Sequence, residues 1–225
     1  MIRTLILSLL LAAVAALPAA PSAAAPIGTT SVLVQTGDAP PAGPGTFTSF
    51  LNAPALNDAG QVAFFGFLGG AGVTLANNEG LYRFGNAGAV QIARKGDAPP
   101  AGPGNFLSLG SPNLNDAGQA VFVADLGGAG VTSANNVGFY RFGDAGTVQI
   151  ARTGDAAPAG PGNFTSLNAP TLNNAGQVAF SAGLSGTGVT PANNEGLFRF
   201  GDAGSVQIAR TGGAAPAGPG NFLGL

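Results

Sequence analysis

Asn173-Asn174-Ala175-Gly176-Gln177-Val178-Ala179-Phe180-Ser181-Ala182-Gly183-Leu184 is the stretch that decides the fold. From Gln177 onward, Val178, Phe180, Ala182 and Leu184 fall on one side, while Ala179, Ser181 and Gly183 fall on the other. That period of two is the signature of a β-strand, whose successive side chains point to opposite faces. Just ahead of it, an Asn and a Gly three apart make a tight turn. Gly176 is free to take a positive φ there, and Asn173 can bond its own backbone. The stretch recurs twice upstream, with Val62, Phe64, Gly66 and Leu68 on the first face in one copy and Ala120, Phe122, Ala124 and Leu126 in the next. This first face stays apolar while the second drifts from Phe65 and Phe67 to Ser181 and Gly183, so the constant face is read as core.

Working outward, Gln61, Gln119 and Gln177 stand 58 residues apart each time. In the same register recur Gly-Asp-Ala-Pro at Gly37 and Gly96, lengthened to Gly-Asp-Ala-Ala-Pro at Gly154, Ala-Gly-Pro-Gly at Ala42, Ala101, Ala159 and Ala217, and Arg-Phe-Gly at Arg83, Arg141 and Arg199. The chain therefore divides into copies at about 36–94, 95–152 and 153–210, with a partial fourth at 211–225. Such self-similarity means stacked units that cannot bury their faces alone. Each unit reads as four short strands. In the third copy these are Ser166–Leu172, Gln177–Leu184, Leu197–Phe200 and Ser205–Arg210, the last two joined as a hairpin through Gly201-Asp202-Ala203-Gly204. Pro170 places the first of the four at a sheet edge, because proline cannot donate to a ladder.

The expectation is an all-β chain of tandem four-stranded antiparallel units, β-propeller-like blades of an incomplete ring. A propeller closes with roughly four or more blades. Three copies and a stub are thus expected to be a piece of a longer product or to assemble with others.

Asn57-Asp58-Ala59-Gly60-Gln61-Val62-Ala63-Phe64 and its counterpart at 173–180 resemble the motif of the bacterial NxxGxxAF tandem-repeat proteins. The second copy departs from it, with Asn115 and Gly118 followed by Val121 and Phe122, a larger residue before the phenylalanine. The resemblance implies an exported protein with several copies and one of various surface-anchoring tails, and it implies no particular chemistry. No such tail follows in these 225 residues.

The first 25 residues read as a signal peptide: Met1-Ile2-Arg3, an apolar run from Leu5 to Leu17 broken only by Ser8, then small residues from Ala19 to Ala25. The run is shorter than the roughly 20 residues a spanning helix needs, and no second run of that kind follows. The mature repeats then occupy 26–225, secreted, periplasmic or at the cell surface.

Composition narrows the chemistry. Only 8 % of residues are charged against roughly 25 % in ordinary domains, whereas 38 glycines and 17 prolines favour turns over helix. A net charge of −2 and the absence of Lys/Arg clusters speak against a nucleic-acid partner. Without cysteine there is no disulfide, thiolate site or lipid-anchored Cys, and without histidine the usual general base and zinc ligand are missing. Gly69-Gly70-Ala71-Gly72 lacks the lysine and helix of a phosphate loop. No cofactor is expected.

The recurring polar positions are the candidate sites. Asn57, Gly60, Asn115, Gly118, Asn173 and Gly176 read as a structural turn motif, whose alternative use is a cation or sugar site together with Asp58 and Asp116; Asn174 replaces the acid in the third copy. Asp38, Asp97 and Asp155 are weak calcium candidates beside rigid Pro and Gly, Gly213 standing in their place in the last copy, and no calcium-loop pattern surrounds them. Arg83, Arg141 and Arg199, with Arg94, Arg152 and Arg210, either ring a channel or pair with loop acids and cover apolar surface. The candidate contact surface is the loop Gly-Val-Thr-x-Ala-Asn-Asn at Gly72, Gly130 and Gly188.

The function expected is that of an exported, non-enzymatic repeat protein with a binding, adhesion or envelope-structural role. The alternative is a fragment of an extracellular glycan-active enzyme whose catalytic residues lie outside this segment. No ligand is named by the sequence; the partners expected are a second copy or further repeats of a longer chain.

Overall fold

The structure, a computed structural model, describes residues 31–85 and 88–225. The signal peptide read at 1–25 lies outside the described residues. Thirteen strands follow in chain order: β1 (Thr46–Leu56), β2 (Val62–Gly69), β3 (Glu79–Gly85), β4 (Gly88–Arg94), β5 (Asn105–Leu109), β6 (Asn113–Leu114), β7 (Ala120–Gly127), β8 (Val137–Gly143), β9 (Gly146–Arg152), β10 (Asn163–Leu172), β11 (Val178–Ser185), β12 (Glu195–Gly201) and β13 (Gly204–Arg210). There is no helix among the described residues. The strands form three antiparallel sheets, β1-β2-β3-β4, β5-β7-β8-β9 with β6 also paired to β7, and β10-β11-β12-β13, none closed into a barrel.

Each sheet is an up-and-down meander from one copy. Its first strand is an edge strand, as Pro170 predicts, and the prolines fall where the ladder is irregular. The register of β1 on β2 shifts between Leu51 and Ala55, around Pro54, and that of β10 on β11 shifts between Asn168 and Thr171, around Pro170. In the middle copy Gly110-Ser111-Pro112 breaks the edge altogether into β5 and β6. The last hairpin turns tightly, Gly143 pairing Gly146 and Gly201 pairing Gly204.

The core lies between sheets. The second face of the first sheet, with Ala63, Phe65, Leu81, Ile92 and Ala93, packs on the first face of the second, with Phe106, Phe122, Leu126 and Tyr140. The next junction repeats this: Val121, Phe139, Ile150 and Ala151 meet Phe164, Val178, Phe180, Leu184 and Phe198. The drifting face is therefore core as well wherever a following sheet covers it, which refines the reading of the constant face alone as core. On the third sheet, where that face carries Ala179, Ser181 and Gly183, all three are half-buried.

Within each first face two rings meet edge to face: Phe47 and Tyr82 at 4.9 Å, Phe106 and Tyr140 at 5.1 Å, Phe164 and Phe198 at 5.0 Å between centroids. A side chain at Gly80, Gly138 or Gly196 would strike the second ring of its pair, the nearest approach being 2.4 Å to the Tyr82 hydroxyl. The Tyr82 and Tyr140 hydroxyls are buried without a hydrogen-bond partner among the described residues. Burial pushes both phenols up to about 12, against the pull of Arg94 and Arg152.

Candidate functional site

The turn motif comes first because it lies at the sheet junctions. Gly60, Gly118 and Gly176 have φ of 72°, 75° and 74°, the left-handed region that glycine enters without steric cost. In each copy the Asn carbonyl accepts the Gly N–H at 3.0 Å, and the Asn Oδ1 accepts the N–H of the Gln four residues on: Gln61 to Asn57 at 2.8 Å, Gln119 to Asn115 at 2.8 Å, Gln177 to Asn173 at 2.9 Å. The same side chains do more than bond their own backbone. Asn57 Nδ2 donates to the Asn115 carbonyl at 2.7 Å, and Asn115 Nδ2 to the Asn173 carbonyl at 2.8 Å. Successive turns are thus tied into a ladder along one edge of the stack.

The positions next to the ladder join it. The Asp58 N–H donates to Asp116 Oδ1, and the Asp116 N–H to Asn174 Oδ1, so these side chains are engaged between units. Arg83 donates to the Gly118 carbonyl and lies 5.3 Å from the Phe142 ring centroid; Arg141 donates to the Gly176 carbonyl and lies 5.0 Å from that of Phe200. These arginines bridge units through a carbonyl and a cation–π contact.

The second arginine set serves a different purpose. Arg94, Arg152 and Arg210 are buried at the end of the last strand of each sheet. Arg94 Nε donates to the Asn77 carbonyl at 2.8 Å and its Nη2 to the Pro44 carbonyl at 3.0 Å; Arg210 contacts Asn193 and Pro161 in the same way, at 2.7 and 2.9 Å. In the first and third units the guanidinium thus clasps the Ala-Gly-Pro-Gly segment that opens its own unit to the loop in mid-unit, whereas Arg152 reaches only the loop, through Nε to the Asn135 carbonyl at 2.6 Å. Asp97 and Asp155, near the start of their copies, bond to the last strand of the copy before, and Asp38 bonds to the backbone just ahead of it. Asp97 accepts from Gln91 Nε2 at 3.1 Å, Asp155 from Gln149 Nε2 at 2.9 Å, and Asp38 from the Gln35 N–H at 2.9 Å. Burial raises the Asp155 carboxyl above its ordinary range, against hydrogen bonds that lower it. Among the described residues no three His, Cys, Asp or Glu side chains gather as a metal site.

On another part of the surface, equivalent residues of consecutive units line a cleft, once at each junction. The first, about 730 Å³, is lined by Leu75 and Ala76 from the first unit and by Gly96, Gly104, Phe106 and Gly128 from the second. The second, about 630 Å³, is lined at the matching positions by Ser133, Ala134, Gly154, Gly162, Phe164 and Gly186. The contact loops singled out in the sequence wall both. Their Thr and first Asn are consumed in holding the loop: the Thr74 N–H donates to Asn77 Oδ1 at 2.7 Å, and Asn77 Nδ2 to the Gly72 carbonyl at 3.1 Å, with the same bonds in the other copies.

The residue left free to differ is the x of Gly-Val-Thr-x-Ala-Asn-Asn, which is Leu75, Ser133 or Pro191. Its signal in the sequence was its variability inside a fixed frame. Around it the first cleft carries Leu107 and Lys95, while the second carries Thr165, Ser185 and Thr187, so one is the more apolar and the other rich in hydroxyls. Neither lining contains a carboxylate.

Residues 22–150 and 142–225 each match the family described as Family of unknown function (DUF7453). The chain belongs to that family. Membership in DUF7453 covers the repeats from end to end and assigns them no activity. No curated protein matches the chain.

Proposed function

We propose that this DUF7453 protein is an exported, non-enzymatic repeat protein whose binding, adhesion or envelope role runs through the loop-walled clefts between consecutive units. The observation that carries the reading is the recurrence of one cleft at both junctions, framed by identical hydrogen bonds and differing only in the side chains displayed. Loops on a rigid scaffold are where recognition concentrates. A catalytic site would need a group that breaks the repeat, and neither cleft lining offers an acid pair. The order Arg3, Leu5 to Leu17, Ala19 to Ala25 supports export, as does the likeness to NxxGxxAF repeat proteins.

The test is retention of the purified full chain on insoluble peptidoglycan, on lipid vesicles and on a printed glycan array, compared with Ala76→Trp and Ala134→Trp. Both alanines are exposed loop residues at a cleft wall, so a bulky side chain fills the cleft without entering the core. At least one surface should retain the wild type, and the double variant should lose at least tenfold of that retention with an unchanged circular-dichroism spectrum. Retention indifferent to both substitutions, or release of new reducing ends from the glycans, would overturn the reading.

A further inference from the structure

The two clefts differ at four matching positions, all in one direction. Ser133, Thr165, Ser185 and Thr187 line the second, where the first has Leu75, Leu107, Gly127 and Ala129. These residues come from separate segments of two units, so no single local change accounts for the set. All four hydroxyl residues are exposed, and no hydrogen bond to another described residue engages their hydroxyls. Phe164, the one aromatic ring of the lining, is 3 % exposed, so its face is not open to a ligand.

A polar recess of about 560 Å³ adjoins the second cleft and shares Ala134, Gly154 and Asn163 with it. Asp155 and Gln149 line the recess. The Asp155 carboxylate is half-buried and accepts from Gln149 Nε2 through Oδ2 at 2.9 Å, while its Oδ1 has no partner among the described residues. Arg152 lines the recess as well but is 2 % exposed, so the charge within reach of a ligand is the carboxylate. Both volumes lie within the roughly 300–1,000 Å³ of small-molecule sites. Hydroxyls donate and accept, whereas an ionised carboxylate only accepts. The complement of such a lining is a ligand whose own groups do both and which carries no negative charge.

We propose that the second cleft, with its recess, binds a neutral saccharide. The proposal rests on the reading of the clefts as recognition sites and names the ligand class of one of them. Sugar hydroxyls exchange hydrogen bonds with Ser133, Thr165, Ser185 and Thr187, and one of them donates to Asp155 in a charge-assisted bond. The same carboxylate repels sugars that carry a carboxylate or a sulfate. The first cleft has the same loop frame but displays Leu75 and Leu107, 83 % and 56 % exposed, and its Lys95 is held by Glu79 at 3.0 Å. It lacks the hydroxyls and does not take this ligand.

The experiment is retention of the full chain on printed neutral oligosaccharides of glucose, galactose, mannose and N-acetylglucosamine, beside uronate-bearing and sulfated ones. Two exchanges between the clefts are the variants: Ser133→Leu with Thr165→Leu, and Leu75→Ser with Leu107→Thr. Each puts into one cleft the residues that the other already holds at exposed positions, and circular dichroism checks that the fold is kept. The wild type should favour a neutral oligosaccharide at least tenfold over every charged one. The first exchange should lose at least tenfold of that retention, and the second should keep at least the wild-type level. Asp155→Asn, which keeps an acceptor for Gln149 and loses the charge, should narrow the preference for neutral over uronate-bearing sugars. A preference for charged sugars, retention that survives the first exchange or falls with the second, or a preference unchanged in Asp155→Asn overturns the proposal. Retention confined to vesicles or peptidoglycan and lost with Ala76→Trp and Ala134→Trp overturns it while leaving the clefts as recognition sites; retention on no surface overturns both.

Discussion

Replacing Asn115 with Ala, and separately Asn173 with Ala, separates the turn from the ladder. Asn115 makes three hydrogen bonds: it accepts from the Gln119 N–H at 2.8 Å and donates to Gln119 Oε1 at 2.9 Å and to the Asn173 carbonyl at 2.8 Å. Asn173 makes only the first two of these, to Gln177, and is exposed. A net hydrogen bond contributes about 1 kcal/mol, and an orphaned buried donor or acceptor costs at the upper end of that scale or beyond. Asn115→Ala should therefore cost about 3 kcal/mol, while water replaces much of what Asn173→Ala removes and leaves that cost at about 1 kcal/mol. In a domain of this length 1 kcal/mol moves the melting temperature by about 3 °C, so the expected falls are about 9 °C and about 3 °C. Calorimetry and the urea midpoint should agree in this order, with Asn57→Ala resembling Asn115→Ala. Equal costs for Asn115 and Asn173 would refute the ladder and leave the motif as a turn alone.

Other outcomes follow from the same geometry. Tyr140→Phe removes a buried hydroxyl that has no partner and copies Phe198, so it should raise stability by about 1 kcal/mol in urea unfolding. The chain has two tyrosines, both wholly buried, so absorbance near the phenolate band should stay flat until close to pH 12 when folded and rise near pH 10 in urea. Because the folded phenols hold their protons where the unfolded ones release them, stability should be full below pH 10 and fall between pH 10 and pH 12. Gly118→Ala should cost more than Gly60→Ala. Both force an L residue to a φ near 75°, worth roughly 1–2 kcal/mol, but only at Gly118 would the new methyl meet side chains of the preceding unit, 2.6 Å from Gln61 Oε1. Millimolar calcium should leave the melting temperature unchanged, since the Asp97 and Asp155 carboxylates are held by Gln91 and Gln149; a rise would establish a calcium site.

Strand order and edge placement were legible in the sequence because a period of two and a proline act locally. Val178, Phe180, Ala182 and Leu184 announce one buried face whatever lies beyond it, and Pro170 marks an edge by its missing N–H. What covered the other face was not legible. Phe65 is buried by a sheet that the next copy forms, and nothing local in its own strand shows that. The glycine of the motif was readable as a positive-φ turn, whereas the second use of its asparagine needed the neighbouring turn to be brought within 3 Å. The clefts were hidden for the same reason, since each is assembled from two units nearly sixty residues apart in sequence. The repeat itself carried the one available hint, in a variable Leu75, Ser133 or Pro191 set inside an invariant frame.

The clasp formed by Arg94 and Arg210, from the end of the first and third units back to their opening segments, has an evolutionary consequence. Start and finish of a unit are fastened to each other, and every junction between units is made from the same contacts. A recombination event that gains or loses one whole unit therefore leaves each remaining clasp closed and creates no junction of a new kind. On this architecture the number of units and the residue displayed in each cleft are changed by separate mutations, so the length of the array and the character of its clefts are independent of each other.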